Sequence, residues 1–398
     1  MRIGIIVDNE FNNDIRVRNE AIALQKEGHE IFVLCFEFGS NFGSNYEGIK
    51  IHRWKLEQKR KNILFALFHS FNAYSFLWAK KISRFIIEEN IDIIHVHDLY
   101  MSRAGHYGRK KSSIPMVLDL HENYTYAVEG YQWMYKKFST HIIRPNRWKK
   151  IEERYLNYPD IIITISKTFK QYLLSKYSSL DEKRMIVYPN APDVETLFSY
   201  EIDRNIIPKN NDFVLFYFGV ISERRGIFMV LDALEKLIKE IPNIKVLIIG
   251  PVDKSESALF EEKINNPLIK GNVIYYPWKD ISLLPSFITY SDVCLSPIAK
   301  NPQHESGIAN KVFQYMLFER PVLVSNCGPQ EDVINESKSG LVHIWDSVDD
   351  FKEKVIYLYK NKEEAIQMGK NGSKAVSEKY NQSELIKPML NFYNNGGK

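Results

Sequence analysis

Cysteine is scarce in this chain. Its three cysteines, Cys35, Cys294 and Cys327, stand far apart inside or beside apolar runs. That spacing suits neither a metal site nor a disulfide framework, and implies reduced, buried thiols of a cytoplasmic protein. No window reaches about 18 uninterrupted apolar residues, the length that a bilayer demands of a helix. The nearest candidate, 62–79, is broken by His69, Ser70, Asn72 and Ser75. The apolar run of Met1–Asp8 is too short for a leader and ends on a carboxylate, so it reads as a first strand. A net charge of only +4 does not indicate a dedicated nucleic-acid binder. Solenoid repeats and low-complexity tails are also lacking.

What is present describes an ordinary globular protein, 44% hydrophobic and 26% charged. A chain of 398 residues outgrows one core. Two domains of about 150–200 residues each are expected. Short apolar runs alternate with helical patterns from end to end. In the first half the expected strands are Arg2–Val7, Glu30–Cys35, Ile91–Val96, Pro115–Leu118, Asp160–Ile165 and Met185–Tyr188. In the second they are Phe213–Phe218, Lys245–Ile249, Asn272–Tyr276, Asp292–Ser296, Pro321–Ser325 and Gly340–Ile344. Runs apolar on both faces, joined by crossover helices, imply buried parallel sheets covered by helices. The expected fold class is α/β, with two tandem doubly wound Rossmann-like domains facing a cleft. Ligands then bind outside the carboxyl ends of the strands. The polar, proline-punctuated segment Pro189–Asn211 marks the boundary, giving domains of 1–200 and 201–376.

Two stretches of the second half suit a phosphate ligand. The first, Phe218-Gly-Val-Ile-Ser-Glu-Arg-Arg-Gly226, leaves a strand and enters a helix with two glycines and a cationic pair. Such a turn offers bare N–H groups and guanidinium forks to a diphosphate; the plain alternative is a βα turn with two solvated arginines. The second runs from Glu305 through Ser306-Gly-Ile-Ala-Asn-Lys to a helix with Val312, Phe313, Met316 and Leu317 on one face, then to Pro321 and an apolar run. A loop feeding a helix N-terminus presents free amides and the positive end of a dipole.

These stretches resemble the donor-binding signature of the retaining, nucleotide-sugar-dependent glycosyltransferases of family 4, of GT-B fold. Gly219, Arg225 and Gly226 match the family's G-R-L-x-x-x-K-G, while its arginine falls on Val220. In the family's E-x7-E pattern the second glutamate lands on Gln314 and the first on Ser306, with Glu305 one position off register. The resemblance implies that Arg225, joined by Arg224, neutralises the leaving diphosphate. The N–H groups of Gly307, Ile308 and Ala309 would meet the distal phosphate, Ser306 would belong to the same donor site, and Gln314 would meet the ribose hydroxyls. Tyr276 and Trp278 are candidates to hold the nucleobase, although an aromatic at a strand end is more often core. His121, in Leu118-Asp-Leu-His-Glu122, corresponds to a family histidine that contacts the transferred sugar, and Asp119 or Glu122 would fix its tautomer. Glu305 would hold the sugar as well, so the implied catalytic set is His121, Glu305 and Arg225.

The loop with Asn12 and Asn13, followed by Asp14-x-Arg16-Val-x-x-Glu20-Ala, resembles a family variant and is the candidate acceptor site. For Arg16 the alternative is a helix start with surface charge pairs. Tyr188-Pro-Asn-Ala-Pro-Asp193 resembles the family's domain-junction turn. A terminal helix of 377–398 is expected to pack back on the first domain. His95-Val-His97-Asp98 looks like a metal site at first sight. Alternation along a strand is taken to turn the two imidazoles to opposite faces, leaving structural histidines and no metal. Basic and aromatic residues interleave over 54–81 and 131–154, including Lys59-Arg60-Lys61, Lys136-Lys137, Arg144 and Arg147-Trp148-Lys149-Lys150. Such a surface suits an anionic membrane face, with a solvated helix face as the alternative.

The resemblance thus implies a metal- and cofactor-free enzyme moving a sugar from a nucleoside diphosphate sugar to a hydroxyl acceptor, glycan or lipid-linked. It implies a setting in bacterial cell-envelope polysaccharide synthesis, in the cytoplasm or on the inner membrane face. Two alternatives are a non-catalytic sugar-nucleotide-binding scaffold and a GT-B-fold nucleotide-sugar epimerase or hydrolase. The first is raised by the departures at Val220 and Gln314.

Overall fold

The structure is a computed structural model and describes residues 1–68, 73–130, 145–192, 194–207 and 210–397. The chain divides into two compact units, Met1–Pro189 with Ile386–Lys398, and Asn190–Leu385. The division falls earlier than the expected 200, because the short helix Val194–Ser199 buries Leu197 in the core of the second unit. The return to the first unit is shorter than the expected 377–398. The helix Lys362–Glu378 stays with the second unit, and only Lys387–Asn394 belongs to the first. Asp193 and the basic residues at 136, 137 and 144 lie outside the described residues.

The first unit is built on strands β1 (Arg2–Ile6), β2 (Glu30–Glu37), β3 (Asn45–Tyr46), β4 (Ile49–Lys55), β5 (Ile93–His97), β6 (Met116–Asp119), β7 (Ile161–Thr164) and β8 (Met185–Val187). Their order is β3-β4-β2-β1-β5-β6-β7-β8, parallel except for the β3–β4 hairpin. Each expected strand of this half is present within a residue or two. The hairpin was not expected, because Ile49-Lys-Ile-His-Arg-Trp-Lys55 alternates rather than running apolar on both faces. That alternation is the pattern of a strand near a sheet edge with one face toward water.

The second unit carries β9 (Phe213–Phe218), β10 (Ile244–Ile249), β11 (Val273–Tyr276), β12 (Val293–Ser296), β13 (Val322–Ser325) and β14 (Gly340–His343) in the parallel order β11-β10-β9-β12-β13-β14. The central strand β9 shows why. Its alternate residues Phe213, Leu215 and Tyr217 join one apolar cluster and Val214 and Phe216 another, so both faces need a helical cover. Truncating such a ring, for example Phe216→Ala, costs about 3–5 kcal/mol.

In each sheet the chain winds outward in both directions from one strand. β1 lies between β2 and β5, and β9 between β10 and β12. The loops leaving β1 and β5 therefore diverge, as do those leaving β9 and β12. Each pair opens a crevice at the carboxyl ends, the usual ligand position in a doubly wound sheet. Both polar clusters described below lie at these ends.

Candidate functional site

The first cluster forms where β1, β5 and β6 end side by side. Register pairs His97 with Asp119, and His121 follows two residues on. The helix Ile15–Lys26, whose N-cap Asp14 accepts from Val17 N–H, brings Arg16 and Glu20 to the same place one turn apart. Arg16 grips Asp119 with both edges of its fork, Nε to Oδ2 at 2.8 Å and Nη2 to Oδ1 at 2.9 Å. It also donates to the Tyr188 carbonyl at 3.0 Å, stacks on the Tyr188 ring at 4.3 Å and meets Glu20 Oε1 at 3.1 Å. Its guanidinium is spent inside the unit. In this structure Arg16 pairs with Asp119, as its charge-pair alternative anticipates, although the partner is a buried strand-end carboxylate and not a surface one.

Protonation states follow from this packing. Burial pushes Asp119 up, but the Arg16 guanidinium, followed by the hydrogen bond and charge of His121, outweighs it and holds the carboxylate well below its ordinary range. Burial, and then the charge of Asp119, raises Glu20 well above the ordinary range, so Glu20 keeps its proton. Burial first, with neighbouring cations, lowers His95 and His97, and both stay neutral. For His121 burial pulls down, yet Asp98 and Asp119 prevail and push it up to about 9. A protonated His121 donates from Nε2 to His97 Nδ1 at 2.9 Å, leaving Nδ1–H toward Asp98 Oδ1 at 4.0 Å. Asp98 itself has φ +71°, a strained backbone for a residue with a side chain, and burial lifts its carboxyl to about 6. The unit thus presents an imidazolium whose protonation, orientation and counter-charge are set by buried neighbours. The terminal helix contributes too, since the buried Tyr393 hydroxyl meets His95 Nδ1 at 3.0 Å.

His95 and His97 correct a second expectation. Positions two apart on a strand share a face, and the rings stack at 4.6 Å with planes 12° apart. Glu20, His95, His97 and Asp119 each offer a ligand atom, all within 4.8 Å of one another, so the donor set is of a kind that could hold a metal ion. Against that, the Arg16 guanidinium already lies between the Asp119 carboxylate and the protonated Glu20. Asn12 and Asn13 are held locally: Asn12 Oδ1 accepts from Arg53 at 2.7 Å, and Asn13 donates to buried Glu10 at 2.7 Å. Of the basic-aromatic stretches, Trp148 is buried and Lys61 pairs with buried Asp8 at 3.1 Å. Lys59, Arg60, Phe76, Leu77 and Lys80 are exposed.

In the second unit the cluster starts where β9 turns into the helix Ile227–Glu240. Gly226 has φ +78°, and a Cβ there would stand 1.7 Å from the Pro297 carbonyl. Only glycine lets this turn press against the segment after β12, where Ala299 N–H donates to the Arg224 carbonyl at 2.9 Å. Arg225 is half-buried with its Nε unpartnered, and burial together with Arg224 lowers it. Lys311, on the first turn of the helix Asn310–Leu317, is only 8% exposed, with Nζ 4.1 Å over the Tyr217 ring. Burial first, then Arg225, pulls its ammonium well below the ordinary lysine range. Buried His304 donates from Nδ1 to the Ala299 carbonyl at 2.7 Å, while its Nε2 has no partner and burial holds it at about 4. The buried Ser222 hydroxyl is also unpartnered. Among the described residues no carboxylate forms an ion pair with Arg224, Arg225 or Lys311, and the N–H groups of Gly307, Ile308 and Ala309 find no protein acceptor.

The remaining sequence candidates scatter around this cluster. Glu305 Oε1 accepts from Gly328 N–H at 3.2 Å, at the start of the helix Gly328–Ser337, where a carboxylate also meets the dipole. Gln314 is half-buried, and among the described residues its amide makes no hydrogen bond. Tyr276 is half-buried against Phe287, under Lys279 at 4.2 Å, whereas Trp278 is 70% exposed. Val220 is 40% exposed. A cavity of about 710 Å³ opens at the opposite, amino ends of β9 and β12, beside Asp212 and Asp292, away from these groups.

Sequence reasoning passed over Glu20, Lys311, His304 and Ser222. Glu20 and Lys311 did carry a signal, since each is a charged residue at a buried position of a helix otherwise lined by apolar side chains. Such residues are rare unless paired or functional.

The two halves match two family models. Residues 15–196 match Glycosyltransferase Family 4 and residues 199–375 match Glycosyl transferases group 1. An uncharacterised glycosyltransferase of Methanocaldococcus jannaschii, MJ1178, is 24% identical over 88% of this chain and 86% of its own length. The capsular polysaccharide biosynthesis glycosyltransferase CapM of Staphylococcus aureus is 21% identical over 58% of this chain and 61% of its own. Among solved structures, Anabaena HepE in complex with UDP superposes with a TM-score of 0.74 over 99% of both chains at 11% identity. With both halves matched and both sheets wound in the same way, the chain is a glycosyltransferase of GT-B fold, like those of family 4.

Proposed function

We propose that this glycosyltransferase uses a nucleoside diphosphate sugar as donor and transfers the sugar to a hydroxyl with retention of anomeric configuration. The observation that carries this reading is the second unit's cationic cluster, which holds Arg225 and open backbone amides but no counter-ion among the described residues. A diphosphate supplies the missing negative charge, and fixed donors around it stabilise the charge that develops as it departs. The UDP-bound state of HepE supports the same reading by likeness of fold. Gly219, Arg224, Arg225 and the 306–309 segment hold the donor, Gln314 faces the ribose, and Tyr276 and Trp278 serve the base. His121 hydrogen-bonds the transferred sugar from Nδ1–H, Glu305 assists in holding it, and the acceptor docks near Asn12 and Asn13.

In the reaction the anomeric carbon–phosphate oxygen bond breaks and a bond to the acceptor oxygen forms. The acceptor's proton passes to the departing phosphate, so no protein general base is required. We assign no metal to the reaction, a reading supported by the pairing of Arg16 with Asp119 and its contact with Glu20 in the first unit. Likeness to CapM supports a polysaccharide product in bacterial envelope synthesis. The exposed Lys59, Arg60, Phe76 and Leu77 support docking on an anionic membrane; a protein that ignores anionic vesicles at low salt refutes that part.

Thermal unfolding against nucleoside diphosphates and their sugars tests the reading. A ligand at about 100 times its dissociation constant stabilises a fold by about 2.7 kcal/mol. A shift with one base, followed by donor hydrolysis that is lost in Arg225→Ala, supports it; no shift with any nucleotide overturns it. The scaffold reading, favoured by Val220 and Gln314, predicts a shift without hydrolysis.

A further inference from the structure

Lys311 is a buried lysine with no carboxylate to answer it. Its Nζ lies on the Tyr217 ring, and the charged or titratable groups facing it are Tyr217 from β9, Arg225 from the turn after it, and His304 from the segment before its own helix. Two of these are basic, and the third raises its pKa on burial and stays a neutral phenol. A cation–π contact alone does not repay the desolvation of an ammonium. Nor does packing explain the residue, since a leucine or methionine would fill the position on the helix's apolar face. Three further polar atoms on neighbouring segments are buried without a partner among the described residues: Arg225 Nε, His304 Nε2 and Ser222 Oγ, the last on a residue only 1% exposed. Nearby, at the point where the family pattern carries its first cation, stands Val220.

We propose that Lys311 is a diphosphate-binding residue, the second cation of the donor site beside Arg225, filling from the helix Asn310–Leu317 the role that Val220 cannot. The ligand class is the pyrophosphate moiety of a nucleoside diphosphate. The assignment rests on the nucleotide-sugar reading above and deepens it. Arg224 was the sequence-based candidate for this role. It lies on the same turn but is more exposed, whereas Lys311 is already desolvated beside Arg225. Desolvated charge–phosphate contacts are the stronger ones. An arriving diphosphate returns Lys311 to its charged form, so binding takes up a proton and weakens as pH rises.

The test is calorimetric titration of the full chain with UDP, GDP, ADP and inorganic pyrophosphate, for wild type, Arg225→Ala, Lys311→Met and Lys311→Met/Val220→Arg. Lys311→Met should weaken binding of whichever nucleotide binds by about 10–100-fold, the range of a charged hydrogen bond. Its unliganded melting temperature should hold or rise, because a desolvated amine has been replaced by an apolar chain of similar shape. Adding Val220→Arg should recover part of the affinity. If Lys311→Met binds like wild type while Arg225→Ala does not, the lysine assignment falls and the nucleotide reading stands. Lost binding together with a melting temperature several degrees lower makes Lys311 structural and also overturns it. If wild type binds none of the four ligands, the nucleotide reading itself fails and the assignment with it.

Discussion

In the first unit each charge near the strand ends meets an opposite charge from the same unit: Arg16 with Asp119, and His121 with Asp98 and Asp119. In the second, Arg225 and Lys311 are drawn out of water with nothing negative beside them among the described residues, and burial depresses both. Removing a charge from water is costly unless a partner replaces the lost hydration. The first cluster answers its charges internally, although Glu20 Oε1 and Oε2, His95 Nε2 and His97 Nε2 find no hydrogen-bond partner among the described residues, and it suits a group that must hold one protonation state and one orientation. A cluster that lacks counter-charges is most stable with an anion bound. The same physics therefore separates a cluster of paired charges from a cluster of unanswered ones within one chain.

The contrast can be broken most directly at Arg225. Arg225→Ala should lower donor hydrolysis by more than about 100-fold, the scale of removing one preorganised donor to developing charge. Its melting temperature should not fall, since no native partner is orphaned; a destabilised but active variant would erase the contrast. His121→Ala should lower kcat by about 100-fold while leaving nucleoside diphosphate affinity within about twofold. An equal loss of affinity would mean that the two clusters are not distinct in role. Gly226→Ala should destabilise the second unit by about 2–4 kcal/mol in denaturant unfolding, because the new Cβ meets the Pro297 carbonyl.

The smallest effect sharpens the comparison through pH. His121 has its folded pKa raised from 6.5 to about 9. The stability that its charge contributes is fully present below pH 6.5 and lost as pH rises through about 9. Activity that needs the imidazolium should fall over the same upper limb. Asp98→Asn removes one of the two opposing charges and should move that limb down by about one pH unit. An unmoved limb would show that Asp98 does not hold the His121 proton.

Much of the fold was legible because strand and helix leave different periods in a sequence. Runs such as Phe213–Phe218, apolar at every position, announce a strand covered on both faces, and each expected strand is present. The β3–β4 hairpin escaped because a half-exposed strand alternates and carries little apolar weight. The Gly219–Gly226 turn was recognisable since a glycine at φ +78° has few substitutes. The pairings were not recognisable. Asp119 and Arg16 are 103 positions apart, as are no two members of any local motif. Arg16 was therefore read as a ligand contact, and the two histidines of β5 were assigned to opposite faces.

By itself the sequence determined two doubly wound α/β units, the family, and the glycine turn that follows the central strand of the second unit, because periodicity, glycine placement and local motifs are properties of neighbouring residues. Only the tertiary structure decided that His121 carries a proton, that Arg16 is committed to Asp119, and that Lys311 is buried without a counter-ion. Those properties depend on desolvation and on charges brought together from distant segments, and no local pattern records either.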